Sequence, residues 1–189
     1  MYKRQGVQAK GGFGQDGVYM PEYYYDKDNG RKVTKAGFVK DNRGLTYYLD
    51  EKGNKVLGLH EINGDLYYFR RGGAYKYTQL GDMWQDSINY IDGKIYYFGH
   101  DGRAIKNRFY QWGNYWYYFY ADGSAATGAV QINGQQLYFD KNHGRQVKGA
   151  FAPDGHYYDE NSGELVTNQT RTIKGVTYHF DENGNATKV

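Results

Sequence analysis

The sequence predicts an all-β fold, an elongated β-solenoid of stacked β-hairpin repeats of about 20 residues. Three observations predict it. One aromatic phrase recurs eight times, glycine-containing turn pairs recur at fixed offsets from it, and the composition carries 23 tyrosines and 27 glycines against two prolines. Tyrosine and glycine in this excess favour strands joined by tight turns. Mean hydropathy is strongly negative, yet 19% of the chain is aromatic, and disordered chains are poor in aromatics.

The phrase is two aromatics and a bulky residue, usually then an acid, with a glycine three or four positions later. In order it reads Tyr23-Tyr24-Tyr25-Asp26 with Gly30, Tyr47-Tyr48-Leu49-Asp50 with Gly53, Tyr67-Tyr68-Phe69 with Gly73, and Tyr96-Tyr97-Phe98 with Gly102. Then come Tyr117-Tyr118-Phe119 with Gly123, Leu137-Tyr138-Phe139-Asp140 with Gly144, His156-Tyr157-Tyr158-Asp159 with Gly163, and Tyr178-His179-Phe180-Asp181 with Gly184. Each copy predicts one hairpin: the phrase as first strand, the acid-to-glycine segment as turn, and a short second strand such as Gly144–Gly149. A second set of pairs, Asn63-Gly64, Asp92-Gly93 and Asn133-Gly134, then marks the turns between hairpins. Because a lone hairpin is marginal, successive ones must stack.

Strand alternation sorts the faces. The first and third phrase positions are expected inward. The middle position, Tyr24, Tyr48, Tyr68, Tyr97, Tyr118, Tyr138, Tyr157 and His179, is never aliphatic and is expected outward. Three residues after the turn glycine, Val33, Val56, Ile105, Ala126, Val147 and Val166 read as core. The next position, Thr34, Leu57, Lys106, Thr127, Lys148, Thr167 and Lys188, is expected on the face of the middle tyrosine. The third copy departs from this pattern over residues 72–77, and no site is expected there.

Tyrosines flanked by threonine, glutamine and lysine describe a sugar site, since a pyranose has apolar C–H faces and a rim of hydroxyls that need donors and acceptors. The best-formed candidate lies between the fifth and sixth hairpins. Thr127 and Gln131 are expected from one hairpin, with Gln136, Tyr138 and Lys148 from the next. Tyr118, Tyr97, Lys106, Tyr157 and Thr167 repeat the theme in neighbouring copies. Against this stands the ordinary reading of each residue alone: a repeat tyrosine packs, and strand lysines and threonines face solvent.

The stretch Trp116-Tyr117-Tyr118-Phe119, Asp122-Gly123, Ala126-Thr127-Gly128, Gln131-Ile132-Asn133-Gly134-Gln135, Leu137-Tyr138-Phe139-Asp140 and Gln146-Val147-Lys148-Gly149 resembles the glucan-binding repeats of glucansucrases. These are large secreted enzymes of lactic acid bacteria and oral streptococci. The run Gly163–Thr170 followed by Gly175–Asp181 resembles them too. The resemblance is strong over 114–186 and loose before. It implies pockets for α-glucan of the dextran type, built from a stacking tyrosine with glutamine and lysine. Tyr138, Gln131 and Lys148 match that motif, while His179 replaces the tyrosine in the last copy.

It further implies a secreted, extracellular or cell-wall-associated binding module, monomeric and fused to a catalytic domain elsewhere. Residues 1–10 read as a partial or non-native segment, and 11–189 as a single repeat array, most regular over 114–189. Choline-binding modules of cell-wall attachment proteins are the nearest rival. Their cages need two tryptophans and a tyrosine per site, whereas this chain has only Trp84, Trp112 and Trp116. The repeats of large clostridial toxins share the hairpin style without the Gln-Val-Lys-Gly phrase. A structural spacer that binds no saccharide is the third reading.

Other functions find no pattern. Basic and acidic residues, 24 against 21, are interspersed, so neither nucleic acid nor membrane is an expected partner. No catalytic carboxylate pair stands out, because the recurring acids Asp26, Asp50, Asp140, Asp159 and Asp181 occupy turn positions. No metal or cofactor is expected: there is no cysteine, the histidines lack ligand spacing, and the loop from Asp26 to Gly30 misses the glycine and glutamate positions of a calcium loop.

Overall fold

A computed structural model describes residues 10–15, 22–72 and 80–189. The irregular third copy over 73–77 therefore lies outside the described residues, as does most of the segment 1–10. The described residues form two compact units. One holds the residues up to Ser87 with Phe98–Ala104, and the other holds Ile88–Tyr97 with Ile105–Val189.

Every described strand belongs to an antiparallel hairpin. β1 (Gly12–Gln15) pairs β2 (Glu22–Tyr25), β3 (Gly37–Lys40) pairs β4 (Thr46–Leu49), and β5 (Gly58–Ile62) pairs β6 (Asp65–Phe69). β7 (Ser87–Ile91) pairs β8 (Lys94–Phe98), β9 (Arg108–Trp112) pairs β10 (Tyr115–Phe119), and β11 (Gly128–Ile132) pairs β12 (Gln135–Phe139). Last come β13 (Ala150–Phe151) with β14 (Tyr157–Tyr158), and the three-stranded β15 (Gln169–Ile173), β16 (Val176–Phe180) and β17 (Ala186–Lys188).

The hairpin frame differs from the sequence expectation by one strand. The aromatic phrase is the second strand, and the pairs expected between hairpins are the hairpin turns themselves. The reason is backbone geometry. Asn63-Gly64, Asp92-Gly93 and Asn133-Gly134 hold both residues at positive φ, 53° and 85° in the first pair, which the two-residue turn matching strand twist requires. The segment after the phrase makes a looser loop. Gly123 N donates to Tyr120 O, Tyr120 N donates to Ser124 O, and a single bridge pairs Phe119 with Ala125. Among the described residues, only the last copy pairs three residues there, through β17.

That loop is built by the acids, as expected. The Asp140 carboxylate accepts the amides of Asn142, His143 and Arg145, Asp181 accepts those of Asn183 and Asn185, and Asp26 accepts those of Asp28 and Asn29. After the loop, the next core residue donates back to the middle aromatic: Ile105 to Tyr97, Ala126 to Tyr118, Val147 to Tyr138 and Val166 to Tyr157, all 2.8–3.0 Å.

Single backbone bonds join several successive hairpins within each unit. Met83 N donates to Thr46 O and Ala104 N to Leu66 O in the first unit. Ala125 N donates to Ile95 O, Gln146 N to Trp116 O, and Leu165 N to Gln136 O in the second. The donor is always the bridge residue. At the third phrase position Leu49, Phe69, Phe98, Phe119, Phe139 and Phe180 are fully buried and Tyr25 is half-buried, each fully buried side chain contributing about 1.5–3 kcal/mol.

Candidate functional site

The face assignment of the middle tyrosines is corrected by the packing. Tyr24, Tyr68, Tyr97, Tyr138 and Tyr157 are buried, Tyr48 and Tyr118 half-buried, and only His179 is exposed. Hairpins stack face on face, so both faces of a strand are interior and no outward row exists. Tyr138, 2% exposed, clusters with Ala152, Tyr158, Val147 and Leu165 of its own and the seventh copy. Burial raises its phenol pKa, as it does for Tyr157 and Tyr158.

The five residues expected to share one pocket are divided. Gln131 and Gln136 are direct cross-strand partners on the same hairpin, and Ala129 pairs Tyr138, so these four side chains share the face toward the seventh copy. Lys148 lies on the opposite face. Gln146 bridges Phe139, which puts positions 146 and 148 on the Phe139 side and Val147 on the Tyr138 side. Thr127 is exposed before Gly128, and Thr167 and Lys106 are half-buried in other copies.

A cleft does lie between the fifth and sixth hairpins. Its 230 Å³ is lined by Phe109 and Trp116 from β9 and β10, Gln135 and Leu137 from β12, then Gln146, Lys148 and Ser162. Of the expected residues only Lys148 takes part. Gln135 and Gln146 line it where Gln136 and Gln131 were expected. Phe109, Trp116, Gln135, Gln146 and Ser162 were not among the expected site residues, although Trp116, Gln135 and Gln146 stand in the motif that carries the resemblance; the signal was Gln135 standing two residues before the inward Leu137. Trp116 stays 38% exposed, and its pair of apolar neighbours, Phe109 and Leu137, forms the floor.

The polar side is held by the following turn. Lys148 Nζ donates to the Asn161 carbonyl at 2.8 Å, and the Gln146 amide to the Ser162 carbonyl at 3.4 Å. Gly163, at φ 75°, makes that close approach possible. A Cβ there would fall 3.0 Å from Gln146 Cδ and 3.1 Å from Lys148 Cγ. The cleft thus joins an apolar wall to an amine and two amides, which can both donate and accept. That matches a neutral polyhydroxylated ring.

Two further cavities lie in the same unit. One of 380 Å³ has Phe151, Tyr157, Tyr178, Ile173, Val176 and Lys174 in its wall. Another of 230 Å³ has Ile88, Ile95, Trp112, Tyr117, His143 and Arg145. In the first unit, a 360 Å³ cavity is bounded by Phe13, Glu22, Asp41 and Arg43. Every one of these aromatic-walled spaces carries a basic side chain. Among the described residues no group of three or more histidine, aspartate or glutamate residues could hold a metal ion.

Comparison with known proteins places these repeats. The choline-binding repeat family matches residues 126–169, and the family described as a putative cell wall binding repeat matches 36–55, 107–125 and 171–186. Glucosyltransferase-S of Streptococcus mutans serotype c is 36% identical over 98% of the chain. Glucosyltransferase-I of Streptococcus downei is 38% identical over 84%. The chain spans only 12% and 10% of those relatives. The crystal structure of choline binding protein F from Streptococcus pneumoniae superposes with a TM-score of 0.72 at 27% identity, covering 94% of this chain and 57% of that one. The chain is therefore a non-catalytic carbohydrate or cell-wall binding module, matching the repeat part of the glucosyltransferases and not their catalytic part. It belongs to the repeat-domain family of the glucansucrases, assembled from hairpins of the cell-wall-binding type.

Proposed function

We propose that this module binds α-glucan of the dextran type, one sugar unit per inter-hairpin cleft, and tethers a catalytic domain fused to it to its polymer outside the cell. The observation that carries the reading is Lys148 in the cleft of Phe109, Trp116 and Leu137. A quaternary ammonium is held by aromatic faces through their negative quadrupole, and a resident lysine amine opposes that. The same amine donates well to sugar hydroxyls. Single clefts are shallow, so useful affinity comes from several engaging one chain at once, on a monomeric array running over residues 11–189.

A choline reading draws on the fold shared with choline binding protein F. A spacer reading predicts no saccharide binding. Retardation in native gels containing dextran separates all three. The wild type is expected to be slowed by dextran, Trp116→Ala and Lys148→Ala to be slowed several-fold less, and choline to leave mobility unchanged. Free migration in dextran with choline sensitivity would move the assignment to the cell-wall ligand; free migration with neither would leave a spacer.

A further inference from the structure

The bridge residue of each copy points into the space between its own hairpin and the preceding one. In Met83, Ala104, Ala125, Gln146 and Leu165 its backbone amide makes the inter-hairpin bond, and it pairs with the third phrase residue, so its side chain shares that inward face. The identity of this residue differs from copy to copy: Lys55, Met83, Ala104, Ala125, Gln146, Leu165 and Ala186 in the second to eighth copies. Leu165 joins the cluster of Tyr138, Ala152 and Tyr158 and fills the gap between the sixth and seventh copies. Met83 joins Tyr67 and Phe69 with Tyr48 between the second and third. Gln146 lines a cleft that stays open on a polar side. Ala125 clusters with Ile95 and Tyr117, which line one open cavity of the second unit, and Ala186 packs beside Tyr157 and Tyr178, which line the other.

Lys55 stands beside the 360 Å³ cavity of the first unit, which Phe13 and Glu22 line. Its ammonium lies 3.6 Å from the Phe13 ring centroid and 5.0 Å from that of Tyr47, and pairs with Glu22 at 2.6 Å. Its side chain is 11% exposed. The first gap thus holds a cation supplied by the chain itself.

We propose that the bridge residue decides the competence of an inter-hairpin site: alanine or glutamine leaves it open to a sugar ring, and leucine or methionine plugs it. The inference rests on the glucan reading for the identity of the ligand, but not for the geometry. It also accounts for the middle tyrosine of the sixth copy, Tyr138, being closed to ligand although its sequence context matches a binding motif. The site there is shut by Leu165, a residue 27 positions away in sequence.

Two measurements on the whole chain test it. Isomaltotriose stoichiometry, followed by titration of ring resonances, is expected to rise by one equivalent in Leu165→Ala and fall by one in Ala186→Leu. Attenuation of the Tyr138 and Tyr158 ring signals by a neutral soluble paramagnetic probe is expected to grow several-fold in Leu165→Ala and to fall at Tyr178 in Ala186→Leu. Unchanged attenuation in folded Leu165→Ala would overturn the gating role. Changed attenuation without isomaltotriose binding by wild type or variant would uphold the gate and overturn the glucan reading instead.

Discussion

The Gln146 amide nitrogen lies 2.8 Å from the Trp116 carbonyl oxygen, and this bond joins two hairpins that share no strand ladder. Order in the stack therefore hangs on single backbone bonds plus the rings they draw together. Gln146→Pro removes the donor and leaves the Trp116 carbonyl unpaired, at a cost of about 1–3 kcal/mol. Gln146→Leu keeps the amide and is expected to unfold near the wild-type midpoint. Urea unfolding of both variants checks this; equal loss in the two would show that the side chain, not the backbone bond, carries the stabilisation.

The division between packing and binding tyrosines gives a second expectation. Tyr138 is 2% exposed within an aromatic and alkyl cluster, so Tyr138→Ala opens a cavity costing about 3–5 kcal/mol. Tyr138→Phe is expected to cost far less, since its ring stays. Trp116→Ala removes a partly exposed wall and is expected to lose dextran retardation at nearly unchanged stability. Paired denaturation and gel measurements check it: a stable Tyr138→Ala protein that merely loses dextran would restore Tyr138 as a sugar platform.

What the sequence showed and hid has a physical cause in each case. Phe119, Phe139 and Phe180 are buried as alternation predicts, and the turn acids accept backbone amides as their spacing predicts. The faces went astray because parity in a strand pair flips with a one-residue shift of register. Taking Gly144–Gly149 as a ladder placed Lys148 beside Tyr138, whereas the single bridge from Phe139 to Gln146 sets it on the other side. The outward row failed for a different reason. A half-exposed sheet has a wet face, but a hairpin stacked between two others has none, and period-two patterning alone does not distinguish them.

Gly163 supplies a third test. At φ 75° it sits where a side chain is strained, and its missing Cβ leaves room for Gln146 and Lys148 beneath the turn. The left-handed conformation alone costs a non-glycine residue about 1–2 kcal/mol. Gly163→Ala is expected to lower the melting temperature and also to weaken dextran retardation, because the turn carbonyls that hold Lys148 and Gln146 must lift. Gly155→Ala, also at positive φ but with open space around its Cβ, is expected to lower stability without that second effect. Identical dextran behaviour in both variants would separate the turn from the cleft.

Acid stability follows from the turn carboxylates. The Asp159 carboxyl is held well below the usual carboxylate range, first by the Ser162 amide and then by the Arg171 guanidinium 2.7 Å away. Asp122 is lowered to about 2, first by the Ser124 hydroxyl and then by Lys94. A carboxylate whose folded pKa is depressed stabilises the fold above its unfolded value near 3.9, and that contribution is lost as pH falls toward the folded pKa. The wild-type melting temperature is therefore expected to drop between about pH 4 and about pH 2. Asp159→Asn and Asp122→Asn are expected to melt lower than wild type at about pH 6, with the Asp122→Asn difference shrinking strongly by about pH 2 and the Asp159→Asn difference closing only at still lower pH. Melting curves across that range check the sign. A difference that stays constant with pH would mean the asparagines perturb the turn by shape, and that ionisation of these two side chains contributes nothing to the stack.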